Sequence, residues 1–163
     1  YTYSDVATKG FLSSGYQAFT TPYELNEQEL RHHENGYSEM VVYGYQPVMQ
    51  SAQCLRKNTG QCTKDSKLIT LTDRKKRKMM VKPHCDLCYN TIYNAEPLCL
   101  LQHSKKLLTM GFSGFRLQFL KESKKEVSNI LRDYENAFVE HGTFKPEQIA
   151  FSYTNGHFKR GVE

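Results

Sequence analysis

The sequence lacks any apolar run approaching the ~18–20 residues that cross a bilayer, so no transmembrane helix is expected. Its first residues, Tyr1-Thr2-Tyr3-Ser4-Asp5, show no basic-then-apolar signal pattern. No initiator Met stands at its start, so the chain reads as a piece cut from a longer protein, with proteolytic maturation as the alternative, and a cytoplasmic location is expected. Neither HExxH nor GxSxG occurs, which leaves a peptidase without a recognisable zinc pair or nucleophile elbow. At 163 residues it is too short for a large multidomain machine. With 39% apolar and 12% aromatic residues it is too apolar to be disordered.

What is present is a local excess of positive charge. The formal net charge is +5. From Arg56 to Lys82 there are ten basic residues and two acids, Asp65 and Asp73, so this stretch carries +8 and the remainder 5 − 8 = −3. Such a segment suits phosphate or another polyanion. The plainer alternative is a solvated basic hairpin with no specific partner.

Periodicity and punctuation order the rest. Residues 4–14 read as a short amphipathic helix ending at Gly15, and Ala18 to Leu25 as a strand weakened by Pro22. Asn26 with Glu29 forms a capping box, flanked by Leu25 and Leu30 as a hydrophobic staple, before a short helix that stops near Asn35-Gly36. Met40-Val41-Val42-Tyr43 is a buried strand. Leu68 to Thr72 and Met79 to Val81 flank Asp73-Arg74-Lys75-Lys76-Arg77-Lys78 as a charged β-hairpin. Pro97 suits the first turn of a helix ending at Gly111, and Phe115 to Phe119 alternates as a strand. Ser123 and Glu126 cap a helix with Val127, Ile130, Leu131, Tyr134 and Phe138 at helical spacing, followed by Gly142. The tail from Ile149 is expected to be partly extended. Strand and helix alternate, which predicts an α/β fold with a parallel sheet or part of an α/β barrel. The expected divisions are 1–43 as βα units, 44–95 as a cysteine-rich basic insertion, and 96–163 as helix, strand, helix and tail.

Cys54, Cys62, Cys85 and Cys88 lie in one stretch with the pattern C-x7-C-x22-C-x2-C. Thiolates as close as those of a CxxC can grip one metal, and four suit tetrahedral Zn²⁺ or an iron–sulfur cluster. Disulfides are the rival reading, without a secretory signal to support them. His84 is a further candidate ligand or supporting residue. Cys99, among Leu98, Leu100 and Leu101, reads as a buried packing thiol. His32-His33-Glu34 reads as ordinary surface.

Several co-linear motifs then carry a resemblance. They are Tyr43-Gly44-Tyr45-Gln46-Pro47-Val48-Met49, Ser51-Ala52-Gln53-Cys54, Asn58-Thr59-Gly60-Gln61-Cys62, Leu71-Thr72-Asp73-Arg74, Cys85-Asp86-Leu87-Cys88-Tyr89-Asn90 and Thr154-Asn155-Gly156-His157-Phe158-Lys159-Arg160-Gly161-Val162-Glu163, with Pro22-Tyr23-Glu24-Leu25-Asn26 upstream. Together they resemble the collagenase-like peptidase family U-thirty-two. The resemblance implies the C-terminal part of a longer parallel α/β (TIM-like) barrel, with a cysteine-rich β-hairpin insertion. It implies a 4Fe–4S cluster on Cys54, Cys62, Cys85 and Cys88, with zinc as the alternative. Relatives take part in oxygen-independent hydroxylation of RNA bases or of a quinone precursor, and other members carry a protease or collagenase label.

On this reading Glu24 and Arg116 stand at strand ends facing an active mouth, and His157 offers a donor in the tail. Arg74, Lys75, Lys76, Arg77, Lys78 and Arg160 grip the phosphates of tRNA or rRNA. The alternatives are a true peptidase acting on collagen-like peptides and a zinc-stabilised module without catalysis. The missing N-terminal part would complete the barrel. Alone, the chain is expected to lack turnover and to dimerise or pack its open sheet edge on another chain.

Overall fold

Side-chain caps set where the helices begin. Ser4 receives the Ala7 N–H, and Asn26/Glu29 and Ser123/Glu126 close complete capping boxes at the expected places. In the computed structural model, which describes residues 2–161, the chain opens with helix α1 (Asp5–Ser13), strand β1 (Phe19–Thr20), helix α2 (Glu27–His32) and strand β2 (Ser38–Gly44). Strand β3 (Pro47–Ser51), short helix α3 (Leu55–Asn58) and strands β4 (Ile69–Thr72), β5 (Lys78–His84) and β6 (Tyr89–Tyr93) follow. Strand β7 (Leu98–Cys99), helix α4 (Ser104–Leu108), strand β8 (Gly114–Gln118) and helix α5 (Lys124–Phe138) come last.

These elements form two units. One comprises the residues up to Gly44 and from Leu98 onward; the other is Tyr45–Pro97. The first is built on a mixed sheet around β2. Strand β8 runs parallel along one edge, from Glu39↔Gly114 to Gly44↔Gln118, with a register shift between Val41 and Tyr43. The other edge is shared: β1 pairs parallel at Ser38 and Glu39, and β7 antiparallel at Tyr43 and Gly44. Leu30 of α2, Leu107 of α4 and Ile130, Tyr134 and Ala137 of α5 join Met40 to Tyr43 in one buried core. The architecture is α/β with a parallel centre, and among the described residues the sheet does not close into a barrel.

Three local expectations change here. The strand expected over 18–25 shrinks to Phe19–Thr20, because Pro22 has no N–H for a ladder and Tyr23-Glu24 turns away. Pro97 does not open a helix. Leu98 and Cys99 instead pair with Gly44 and Tyr43, and the Cys99 N–H donates to the Thr154 carbonyl at 3.0 Å, so a short helical turn begins only at Leu101. Leu131 is exposed, because the buried stripe of α5 runs through Ile130, Tyr134 and Ala137.

The Tyr45–Pro97 unit is a four-stranded antiparallel sheet in the order β3-β6-β5-β4. The charged hairpin is β4 and β5, paired from Ile69↔Val81 to Thr72↔Lys78. Strands β3 and β6 escape a reading by pattern: β3 is almost wholly exposed, and β6 carries Asn90 and Thr91 at buried positions.

Candidate thiol site and nucleic-acid interface

Strand β5 is bounded by two turns of different chemistry. At its start, Asp73 ties the basic turn together. The Asp73 N–H donates to the Arg77 carbonyl (3.0 Å) and the Lys76 N–H to the Asp73 carbonyl (3.0 Å). The Arg77 N–H and Nε donate to the two Asp73 carboxylate oxygens at 2.8 and 2.7 Å. The Arg77 backbone donor and then its guanidinium hold the Asp73 carboxyl below its ordinary range. Arg74, Lys75, Lys76, Arg77 and Lys78 are all exposed. Lys76 takes a left-handed backbone, φ +60.

At the other end of β5, about 20 Å away at ~3.3 Å per residue, His84 to Tyr89 make the CxxC turn. Cys88 adopts φ +53, and its Sγ–H donates to the Cys85 carbonyl at 3.7 Å. The Cys85 Sγ–H donates to the Asp65 carbonyl at 3.0 Å, which sets the turn beside the loop that follows Cys62. Cys54 is buried at the start of α3, Cys85 is half-buried, and Cys62 and Cys88 are exposed; all are free thiols. Asn90 Nδ2 donates to the Gln53 carbonyl (2.8 Å) next to Cys54, while its Oδ1 is buried without a hydrogen-bond partner.

Four thiols match a soft metal by type. Their present positions do not form its coordination sphere: among the described residues no group of three or more His, Cys, Asp or Glu side chains is set to hold an ion. Cys62 lies in the 59–68 loop, and Cys85 is hydrogen-bonded to that loop at Asp65. His84 is engaged otherwise. Its ring stacks on Tyr89, with centroids 4.2 Å apart and planes 7° apart, and its Nε2 lies 3.1 Å from Thr91 Oγ1.

The loop is organised by Asp65, which sequence reasoning left as a mere counter-charge. Its carboxylate accepts from Thr63 Oγ1 (2.6 Å), the Lys67 N–H (3.0 Å) and the Arg56 guanidinium. These donors, Thr63 first and then Arg56, drive the carboxyl far below its ordinary range. A D-x-K run after a Thr was the available signal.

The residues expected around an active mouth make separate contacts. Arg116 on β8 pairs with Glu39 on β2, and Thr20 Oγ1 donates to Glu39 Oε1 at 2.8 Å. Glu24 is exposed in the turn before α2, rather than at a strand end. His157 is exposed, and its Nδ1 lies 2.9 Å from the Gly161 carbonyl. That closes a tail turn whose Phe158 carbonyl accepts the Glu27 N–H at 2.8 Å. His157 thus caps the tail against α2, and Arg160 is exposed on the same turn. In the cluster read as surface, His33 has both ring nitrogens buried without a hydrogen-bond partner.

A half-buried polar node joins Gln102, His103 and Asn155. His103 Nε2 lies 3.1 Å from Asn155 Oδ1, which also accepts from Gln102 Nε2 at 2.6 Å. Burial lowers the His103 pKa below its ordinary value. No helix among the described residues is long and apolar enough to cross a membrane. Comparison with protein-family models, with curated proteins and with solved structures finds no match to this chain.

Proposed function

We propose that this chain is part of a cytoplasmic RNA-modifying enzyme whose Tyr45–Pro97 unit holds a thiolate-ligated 4Fe–4S cluster and grips the RNA backbone. Its parallel sheet would be one arc of a TIM-like barrel. The observation that carries the reading is strand β5, with a five-cation turn at one end and the CxxC turn at the other. Cys54, Cys62, Cys85 and Cys88 would hold the cluster, which supplies electron transfer when bound. Arg74, Lys75, Lys76 and Lys78 meet phosphate, and the pairing of Asp73 with Arg77 keeps the turn in shape.

Two measurements test this. After anaerobic incubation with iron and sulfide, the chain should show broad visible absorption that is lost in a variant with all four cysteines changed to Ser. A colourless protein that takes up zinc instead would replace the cluster with the same thiols around Zn²⁺. Binding of tRNA should weaken when Arg74, Lys75, Lys76 and Lys78 are changed to Gln together, with a shallower dependence on salt. Unchanged affinity at low salt would remove RNA from the proposal.

A further inference from the structure

Alternation along a strand sends successive side chains to opposite faces of a sheet. In the Tyr45–Pro97 unit one face carries Ile69, Val81 and Ile92 in register, with Val81 fully buried. The opposite face carries Lys78, Met80, Lys82 and His84 of β5 beside Tyr89, a buried Thr91 and Tyr93 of β6. Contacts establish that these share a side: His84 stacks on Tyr89 directly opposite it, His84 Nε2 meets Thr91 Oγ1, and Lys82 pairs with Thr91. Lys78 and Lys82 are exposed, and the three rings are half-buried.

The composition of this face is unusual for the solvent side of an antiparallel sheet. None of the four strands contains an Asp or Glu. Rings stand where the short polar residues of an outward face are expected. The row leads at Lys78 into the basic turn. Across Tyr45–Pro97 the charge is ten basic against four acidic residues, 10 − 4 = +6. Exposed cations beside half-buried aromatic rings on one sheet face match a single nucleic-acid strand, whose bases stack on the rings while its phosphates meet the cations. A duplex offers no free base faces to such rings.

We propose that this face binds single-stranded RNA, with bases stacked on Tyr89 and Tyr93 beside His84, and phosphates led by Lys82 and Lys78 to the basic turn. The inference rests on the RNA reading above and adds the strand state of the RNA and the residues that meet its bases. The stack of His84 on Tyr89 pre-orders one ring, so less side-chain freedom is lost on binding.

The test uses the 163-residue chain and a short RNA containing 2-aminopurine, offered single-stranded and annealed to its complement. The single strand should bind more tightly than the duplex, and 2-aminopurine emission should be quenched on binding to the unmodified protein. Tyr89→Leu and Tyr93→Leu should each weaken binding about tenfold without changing its salt dependence, and Tyr89→Phe should retain affinity. The quenching readout needs no variant, so a misfolded substitution cannot mask the answer. If the unmodified chain binds RNA and the basic-turn variant weakens it, yet emission is unquenched and both Leu variants bind as before, the stacking face is overturned while the RNA reading stands. If the unmodified chain binds no RNA at low salt, both fall together.

Discussion

The Tyr134 hydroxyl on α5 donates to the Val42 carbonyl on β2 at 2.8 Å, and the same carbonyl accepts the Leu100 N–H at 3.0 Å. One oxygen therefore joins the main helix to the central strand and to the segment leaving β7. The hydroxyl also lies 3.5 Å from Cys99 Sγ. Burial drives the Tyr134 pKa well up, so it stays a donor at any working pH. Tyr134→Phe leaves Val42 bonded to Leu100 and orphans no carbonyl. The expected loss is about 1 kcal/mol, against about 3–5 for Tyr134→Ala, which also opens a cavity. Urea unfolding midpoints of the two variants check the order.

Gly44 ends β2 at φ +140, and a Cβ there would lie 2.4 Å from the Gln118 carbonyl oxygen. Both the backbone conformation and the close approach exclude a larger residue. Gly44→Ala should cost roughly 3 kcal/mol. It should also disturb the Tyr23 hydroxyl bond to Gln118 Oε1, now 2.9 Å. A thermal unfolding curve indistinguishable from the parent's would contradict this packing.

The thiols differ in access, so a thiol reagent should rank them. Cys62 and Cys88 are exposed and should react first, Cys85 more slowly, and Cys54 only as its loop opens. Burial drives the Cys99 pKa up, and it should react only on unfolding. Loading with iron and sulfide, or with zinc, should protect Cys62 and Cys88. Mass spectrometry of the labelled positions reads both results, and equal labelling with and without metal would exclude these thiols as ligands.

Lys76 holds a left-handed backbone in a turn where glycine would be unstrained, at a cost of roughly 1 kcal/mol. Lys76→Gly should therefore raise stability by up to about that amount while weakening RNA binding through the lost charge. A stabilised variant with unchanged affinity would make Lys76 irrelevant to RNA.

Acid should loosen both units. Four carboxylates have folded pKa values below their ordinary 3.8 (Asp) or 4.5 (Glu): Asp73 through the Arg77 N–H, Asp65 through Thr63, Glu27 through Lys106 and Glu126 through Ser123. A lowered folded pKa gives stability that is complete above the ordinary value and is lost as pH falls through and below it. Melting temperature should hold from pH 7 to about 5 and drop below about 4. Asp73→Asn and Glu126→Gln should each flatten that drop.

What the sequence determined by itself was local. Asn26 with Glu29 and Ser123 with Glu126 start their helices wherever they stand, because a cap needs only residues three apart. The β4–β5 hairpin was legible for the same reason: its pairing is short-range and Asp73 closes its turn. The CxxC and the basic run were visible as chemistry, though not their positions at opposite ends of β5. Tertiary structure alone decided whatever depended on partners remote in the chain. Leu98-Cys99 became a strand because Tyr43, Gly44 and Thr154 offered it hydrogen bonds, overriding a helix-start proline. Arg116 went to Glu39, and Asn155 to His103, across separations that no spacing rule reaches. Strands β3 and β6 exist because each backbone finds a neighbour, with no pattern of their own to announce them. The row of His84, Tyr89 and Tyr93 is a face only once β5 and β6 lie in register, since a one-residue slip would turn each ring to the other side.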